Sequence, residues 1–222
     1  QALVNRESGA AGGLVSGAGM DIAAGEIDNR GGMVFAQGDA DIDAGAIDNT
    51  GAGVIGSATD LALRAASLSN TGGLVQAGGD ASLTLDGLLD NRAGLVAAGQ
   101  ALHVRAETID NRDTAQTGGD TPAGLQAAHL HLQAQQLDNR QGLVLADTAA
   151  RIDLTGLLDN AGGQVASGGT LDIGADTVAN TDGTLLSGGD QRIQARELGG
   201  DGQVLSQGDL TFDLQEDFDN TG

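Results

Sequence analysis

Three histidines carry the chain's best coordination chemistry, and they stand close together at His103, His129 and His131. His103 and His131 each lie eight residues before an asparagine, Asn111 and Asn139, and His129 lies two residues from His131. Alternate residues of a strand share a face, so this spacing gathers three imidazoles on one outward patch. Such a patch is a candidate site for zinc or copper. No carboxylate stands evidently behind the imidazoles to orient them, and the expectation is a solvated face with no resident metal or other cofactor. Carboxylates form the second constellation. Asp28, Asp48, Asp90, Asp110, Asp138, Asp159 and Asp219 each precede an asparagine, and Arg30, Arg92, Arg112 and Arg140 follow two residues later, with Arg6 in the same relation to its own repeat. Carboxylate oxygens bind calcium, but the Gly-Gly-x-Gly-x-Asp nonapeptide of calcium-binding β-rolls is missing and the period is wrong for it. The aspartates are instead expected to form an outward column whose mutual repulsion the arginines relieve, bridging carboxylates of their own and adjacent rungs.

Catalytic constellations fare poorly. Glycoside hydrolysis needs two carboxyl groups about 5–9.5 Å apart in a groove, and among 31 acidic residues some pair meets that distance by accident. Asn180-Thr181-Asp182 matches one motif of pectin-degrading hydrolases, yet its asparagine is a repeat position, and the Asp-Asp, Gly-His-Gly and Arg-Ile-Lys motifs that accompany it there are missing. No Gly-x-Ser-x-Gly elbow and no phosphate-cradling glycine loop with a lysine occurs. Without cysteine there is no thiolate metal site, disulfide or cysteine nucleophile. The chain does not read as an enzyme.

The asparagines point to what positions all of these groups. They fall at Asn5, Asn29, Asn49, Asn70, Asn91, Asn111, Asn139, Asn160, Asn180 and Asn220, with Gly200 in the one vacant slot. Successive steps are 20 or 21 residues, apart from 24 at the start and 28 between Asn111 and Asn139. A fixed period of this size is the signature of a repeat architecture. Before each asparagine, apolar residues recur at nine, seven, five and two positions, as in Ala40, Ile42, Ala44 and Ile47 or Leu130, Leu132, Ala134 and Leu137. Spacing by two is the strand period, and the jump of three predicts a bend between two short strands. A further apolar pair such as Met33-Val34 or Leu95-Val96 follows the asparagine. Each repeat therefore reads as three short strands, too little to bury a face alone. Wound into closed turns stacked about 4.8 Å apart, like residues pile upon like.

The expected fold is all-β, a right-handed parallel β-helix of about ten to eleven coils of ~20 residues, close to 50 Å long. Residues 1–222 read as a single repeat segment, with a loop inserted at about 113–124, where polar residues, glycines and Pro122 fill the longest step. In Ile-Asp-Asn the alternation turns the asparagine inward at a corner. The set Asn29, Asn49, Asn70, Asn91, Asn111, Asn139, Asn160, Asn180 and Asn220 is expected to form a ladder of side-chain amides passing hydrogen bonds from rung to rung, interrupted at Gly200. Two repeats depart from the rule: Leu83, Leu85, Leu88 and Leu89 share a shifted spacing with Ile152, Leu154, Leu157 and Leu158, which predicts one shortened and one lengthened bend. Phe212, Leu214 and Phe218 put larger side chains in the last coil.

Composition agrees. Only 3 Phe and no Trp or Tyr are present, so the interior must be built of small aliphatics, and 38 Gly without a three-residue period are not collagen. The formal charge is −21, and every basic residue is an arginine. Such a polyanion repels phosphate backbones and anionic membrane surfaces. Nucleic acid is not an expected partner, and no apolar run approaches the ~20 residues of a membrane-spanning helix. No signal peptide opens the chain at Gln1, and it reads as an excised fragment.

Runs such as Leu88-Leu89-Asp90-Asn91-Arg92-Ala93-Gly94-Leu95-Val96-Ala97-Ala98-Gly99, followed by Leu102 and Val104, resemble the repeats of filamentous haemagglutinin-type exoproteins. These are the large bacterial adhesins and contact-dependent growth-inhibition effectors exported by two-partner secretion. The likeness extends over essentially the whole chain. It implies a secreted, surface-displayed shaft whose partners are flanking β-helical repeats of the same parent chain, with a host or target-cell surface at its far end. The alternative is an adhesive module that contacts a host glycan or protein through one face or the 113–124 loop. The least favoured reading is a polysaccharide-acting enzyme.

Overall fold

A computed structural model describes residues 1–9, 12–115, 123–216 and 218. Its described residues form 23 strands in one continuous sheet, and every pairing is parallel. Each strand pairs with its counterpart one repeat away: Leu61 lies between Ala40 and Ala81, and Val75 between Ile55 and Val96. The chain is thus a parallel β-solenoid of about ten turns. Helix has no purchase here, because glycine is frequent and the apolar period is two rather than 3.6. No helix of the described residues is long and apolar enough to cross a membrane.

Three aliphatic columns fill the interior. One runs through Ile42, Leu63, Leu83, Val104, Leu132, Ile152, Ile173 and Ile193; a second runs from Ile47 through Leu68, Leu89 and Ile109 to Leu198; a third runs from Val34 through Val75 and Val96 to Leu185. All of these side chains are buried. Each aliphatic side chain fully withdrawn from water stabilises by roughly 1.5–3 kcal/mol. The columns are continuous because each repeat supplies one member at the same register. At the two ends this cover runs out: Val4, Leu14 and Val15 at one, and Leu205, Leu210, Phe212 and Phe218 at the other, are exposed, and the two phenyl rings stack with centroids 5.5 Å apart.

In several coils the bend after the third inward residue is softer than the spacing predicts. In Met20–Asp28, Ala40–Asp48 and Leu61–Ser69 one nine-residue strand runs through it, pairing continuing on both sides of one skipped residue, Gly25 against Gly45. In the shifted repeats the bend does break the strand, giving Ala81–Leu85 then Leu88–Asp90, and Leu143–Leu154 then Leu157–Asp159. It also breaks as the spacing predicts in the two regular coils between them, at Ala101–Arg105 then Thr108–Asp110 and Gly124–Ala134 then Gln136–Asp138. The register locates the cause. Leu63 pairs Leu83 but Leu68 pairs Leu89, so one extra residue enters beside Gly87. The next face returns Leu74 to Leu95 in the longer register, with no shortened bend to compensate. The coil after Asn49 takes its extra residue elsewhere, in the turn before Val54, where Met33 pairs Val54 although Asp28 pairs Asp48.

The long step between Asn111 and Asn139 is taken up before Gly124, where pairing with Leu95 resumes. Of the inserted stretch, residues 116–122 lie outside the described residues. Beyond it, Gly124–Ala134 runs as one strand, as Leu143–Leu154 does in the next coil, around a corner that some coils turn with two glycines, and a register shift between Ala127 and His129 marks the tighter path.

Candidate functional site

The asparagine corner is the most regular feature of the molecule. Each asparagine from Asn5 to Asn180 directly follows the last residue of a strand and turns its side chain inward, and those from Asn29 to Asn160 are wholly buried. The Nδ2 of each donates to the Oδ1 of the next, in eight consecutive links from Asn5 to Asn180 at 2.7–2.9 Å. The same amide also donates to a backbone carbonyl of the next coil, as Asn29 does to Val54 (2.9 Å) and Asn111 to Leu143 (2.9 Å). Each buried amide thereby has partners on both sides, as burial of polar groups demands. At Asn180 the neighbouring rung holds Gly200, and Nδ2 bonds only the Gln203 carbonyl, at 3.2 Å. Asn220 and Asp219 lie outside the described residues.

The turn after each asparagine explains the glycine that follows. The Gly94 nitrogen donates to the Asn91 carbonyl at 3.0 Å, closing a four-residue turn whose third position, Ala93, has a φ of +49°. A Cβ on Gly94 would stand 2.2 Å from the Asn70 carbonyl oxygen and 2.8 Å from the Oδ1 of Asn91. Only a bare backbone passes so close to the amide column.

Outside the corner the aspartates and arginines meet as the spacing predicts. Arg92 reaches Asp90 of its own coil at 2.6 Å and Asp110 of the next at 3.7 Å; Arg112 reaches Asp110 and Asp138, Arg140 reaches Asp138 and Asp159, and Arg30 reaches Asp28 and Asp48. The Arg30 guanidinium holds the Asp28 carboxyl down at about 2. Asp90 is lowered chiefly by Arg92, and Asp138 is lowered overall although burial pushes the other way.

A second aspartate column was not read from the sequence. Asp39, Asp60, Asp80 and Asp190 sit at the opposite corner, and the Oδ1 of each accepts the backbone N–H of the corresponding residue one coil on. Asp80 thus donates to Asp60 (2.8 Å), Ala101 to Asp80 (3.0 Å), Asp209 to Asp190 (2.9 Å) and, at a longer 3.4 Å, Asp60 to Asp39. The signal was available: Gly-Asp recurs ten or eleven residues before the asparagine slot. The Thr59 hydroxyl donates to Asp39 at 2.6 Å and leads the lowering of its pKa.

The histidines come together only in part. His103 pairs His131 in register, their rings edge to face with centroids 5.8 Å apart, and His129 stands beside Ala101 on the same face. A carboxylate does stand behind one of them, contrary to expectation: Asp153 lies 2.8 Å from the Nε2 of His131. Arg151 holds that same carboxylate with Nε at 2.8 Å and Nη2 at 3.0 Å, and is the leading cause of its lowered pKa. Asp153 is thus spent on a cation, and among the described residues no group of three or more metal-ligating side chains has the geometry to hold an ion. Beside this patch a groove of about 530 Å³ opens along the outer face of the same coils, lined by Arg105, Gln133, Asp153, Thr155 and Gly174 over a floor of Ala106, Ala134 and Leu154.

One buried amide has no counterpart. Gln191 occupies the inward position that Leu171 and Leu210 hold on its two neighbours, it is 1 % exposed, and neither its Nε2 nor its Oε1 has a hydrogen-bond partner.

Comparison with known proteins agrees with this geometry. The model of the haemagglutinin repeat matches residues 4–34, 35–93, 86–121, 122–162 and 148–222. No curated protein and no solved structure matches the chain.

Proposed function

Because this chain belongs to the haemagglutinin repeat family, we propose that it is a shaft segment of a secreted, cell-surface filamentous exoprotein, holding a distal adhesive or toxin-delivery region away from the cell. Residues 1–222 act in this reading as one repeat segment, continued by flanking repeats of the same parent chain. The observation that carries it is the stacking of coil on coil along the described residues, with the same three aliphatic columns and an amide corner that runs from Asn5 to Asn180. A spacer needs length and stiffness and no unique site; neighbour-only packing supplies both. The amide column has a structural role here, keeping each coil in register with the next, and the three histidines serve a solvated face.

The test removes whole coils in register from the parent exoprotein, for example the residues from Asn70 up to Asn91. The expected outcome is a filament shortened by about 4.8 Å per coil, with receptor binding by the distal region intact. Loss of receptor binding at unchanged filament length would favour the second reading, an adhesive module. That reading draws on the coils between Asn91 and Asn160, where the insertion, the long unbroken strands and the histidines interrupt the monotony. Turnover of polysaccharide by the isolated segment would overturn both.

A further inference from the structure

In this polyanion almost every cation is already committed. Nine of the ten arginines reach a carboxylate at 2.6–3.1 Å. Of the arginines, all of which are among the described residues, Arg105 alone has neither an ion pair nor a side-chain hydrogen bond. The residues beside it on the neighbouring coils, Thr84 and Gln133, are both uncharged. Arg105 is exposed and stands at the rim of the 530 Å³ groove. The one carboxylate lining that groove, Asp153, is held by Arg151 and His131, so it does not cancel the free guanidinium.

The geometry points to a ligand site in this groove for a carboxylate-bearing sugar unit, with Arg105 as the anchor of the carboxylate. A guanidinium takes a carboxylate through two parallel N–H bonds. The Gln133 amide and the Thr155 hydroxyl, also in the groove, match the hydroxyls of a sugar, and the floor of Ala106, Ala134 and Leu154 suits the C–H face of its ring. The volume falls in the range of small-molecule sites. A long polyanion is repelled by a surface of formal charge −21, whereas a single carboxylate is not excluded by it. A peptide fits less well, since the strands of these coils are paired on both edges and offer no free backbone to a further strand. This inference is independent of the shaft reading, because a spacer need carry no ligand.

Titration of the whole 222-residue chain with methyl glucuronide, followed by backbone NMR shifts, tests it. The expected result is saturable shifts at Gln133 and Thr155 with a Kd below about 10 mM, weakened roughly tenfold or more in Arg105→Gln. Arg64→Gln, which removes a paired arginine elsewhere on the surface, should bind as the parent does. Absence of saturable shifts, or equal binding by Arg105→Gln, overturns the site. Equal binding of neutral methyl glucoside overturns the role of the carboxylate. Tighter binding of N-acetyl-alanylalanine, which carries a peptide carboxylate, overturns the sugar assignment.

Discussion

Two kinds of buried amide lie in this solenoid, and they are at opposite ends of satisfaction. Asn91, wholly buried, accepts from Asn70 and donates to Asn111 and to the Gly124 carbonyl. Gln191 is buried as deeply and touches no polar partner. The chemistry of the two groups is the same; the difference is company. An amide repeated at one register finds its own kind above and below, each supplying the donor or acceptor the other lacks. An amide placed once in an aliphatic column has leucines, Leu171 and Leu210, at its register on the two neighbouring coils. Repetition, rather than burial, turns a polar group from a cost into a connector. The same coil that carries Gln191 runs from Asn180 to the vacant slot at Gly200, so both departures from the rule fall together near one end.

The sharpest way to break the contrast is to remove one rung of the amide column. Asn91→Ala leaves the Oδ1 of Asn111 without its donor and takes one acceptor from Asn70; the expected loss is about 2–4 kcal/mol, read as a lower urea midpoint. A loss under about 0.5 kcal/mol would show that the column contributes little. Gln191→Leu should move stability the other way, by about 1–3 kcal/mol, because two unpaired polar atoms leave the core and the aliphatic column closes. If that variant is destabilised, Gln191 has a partner that the present account lacks. The smallest effect is expected from the ion pairs outside the corner. The folded Asp28 carboxyl sits at about 2 against 3.8 for the free group, so the help it draws from Arg30 is fully present above 3.8 and disappears as pH falls toward 2. The difference in melting temperature between the parent and Arg30→Gln should therefore be constant from pH 7 to 5 and shrink below pH 4. A difference that stays unchanged down to pH 2 would remove the pair from the account.

Legibility followed the period. Inward and outward residues of each strand were readable because alternation by two leaves no choice once one face is apolar. The aspartate–arginine pairs were readable too, since both partners lie within a few residues of each asparagine. The aspartate corner of Asp60 and Asp80 was missed although a recurring Gly-Asp marked its place: its partners are backbone N–H groups, so no second residue type recurs beside the aspartate to show what it binds. The bend was overstated for a related reason. A jump of three in the apolar pattern marks where the backbone turns, but not whether the ladder survives the turn, and in Ala40–Asp48 it does.

By itself the sequence determined that this chain is wound, at what period, and with which letters inside, because a pattern repeated every twenty residues has only one economical way to bury its small aliphatic face. Only the tertiary structure decided where each surplus residue is absorbed, that Arg151 and His131 share the Asp153 carboxylate, and that Arg105 has no carboxylate beside it. Those outcomes depend on which residue comes to rest on the neighbouring coil, 19 to 29 positions away. A one-residue slip anywhere along that path changes every partner beyond it, so pairing across coils is a property of accumulated register rather than of any local stretch of chain.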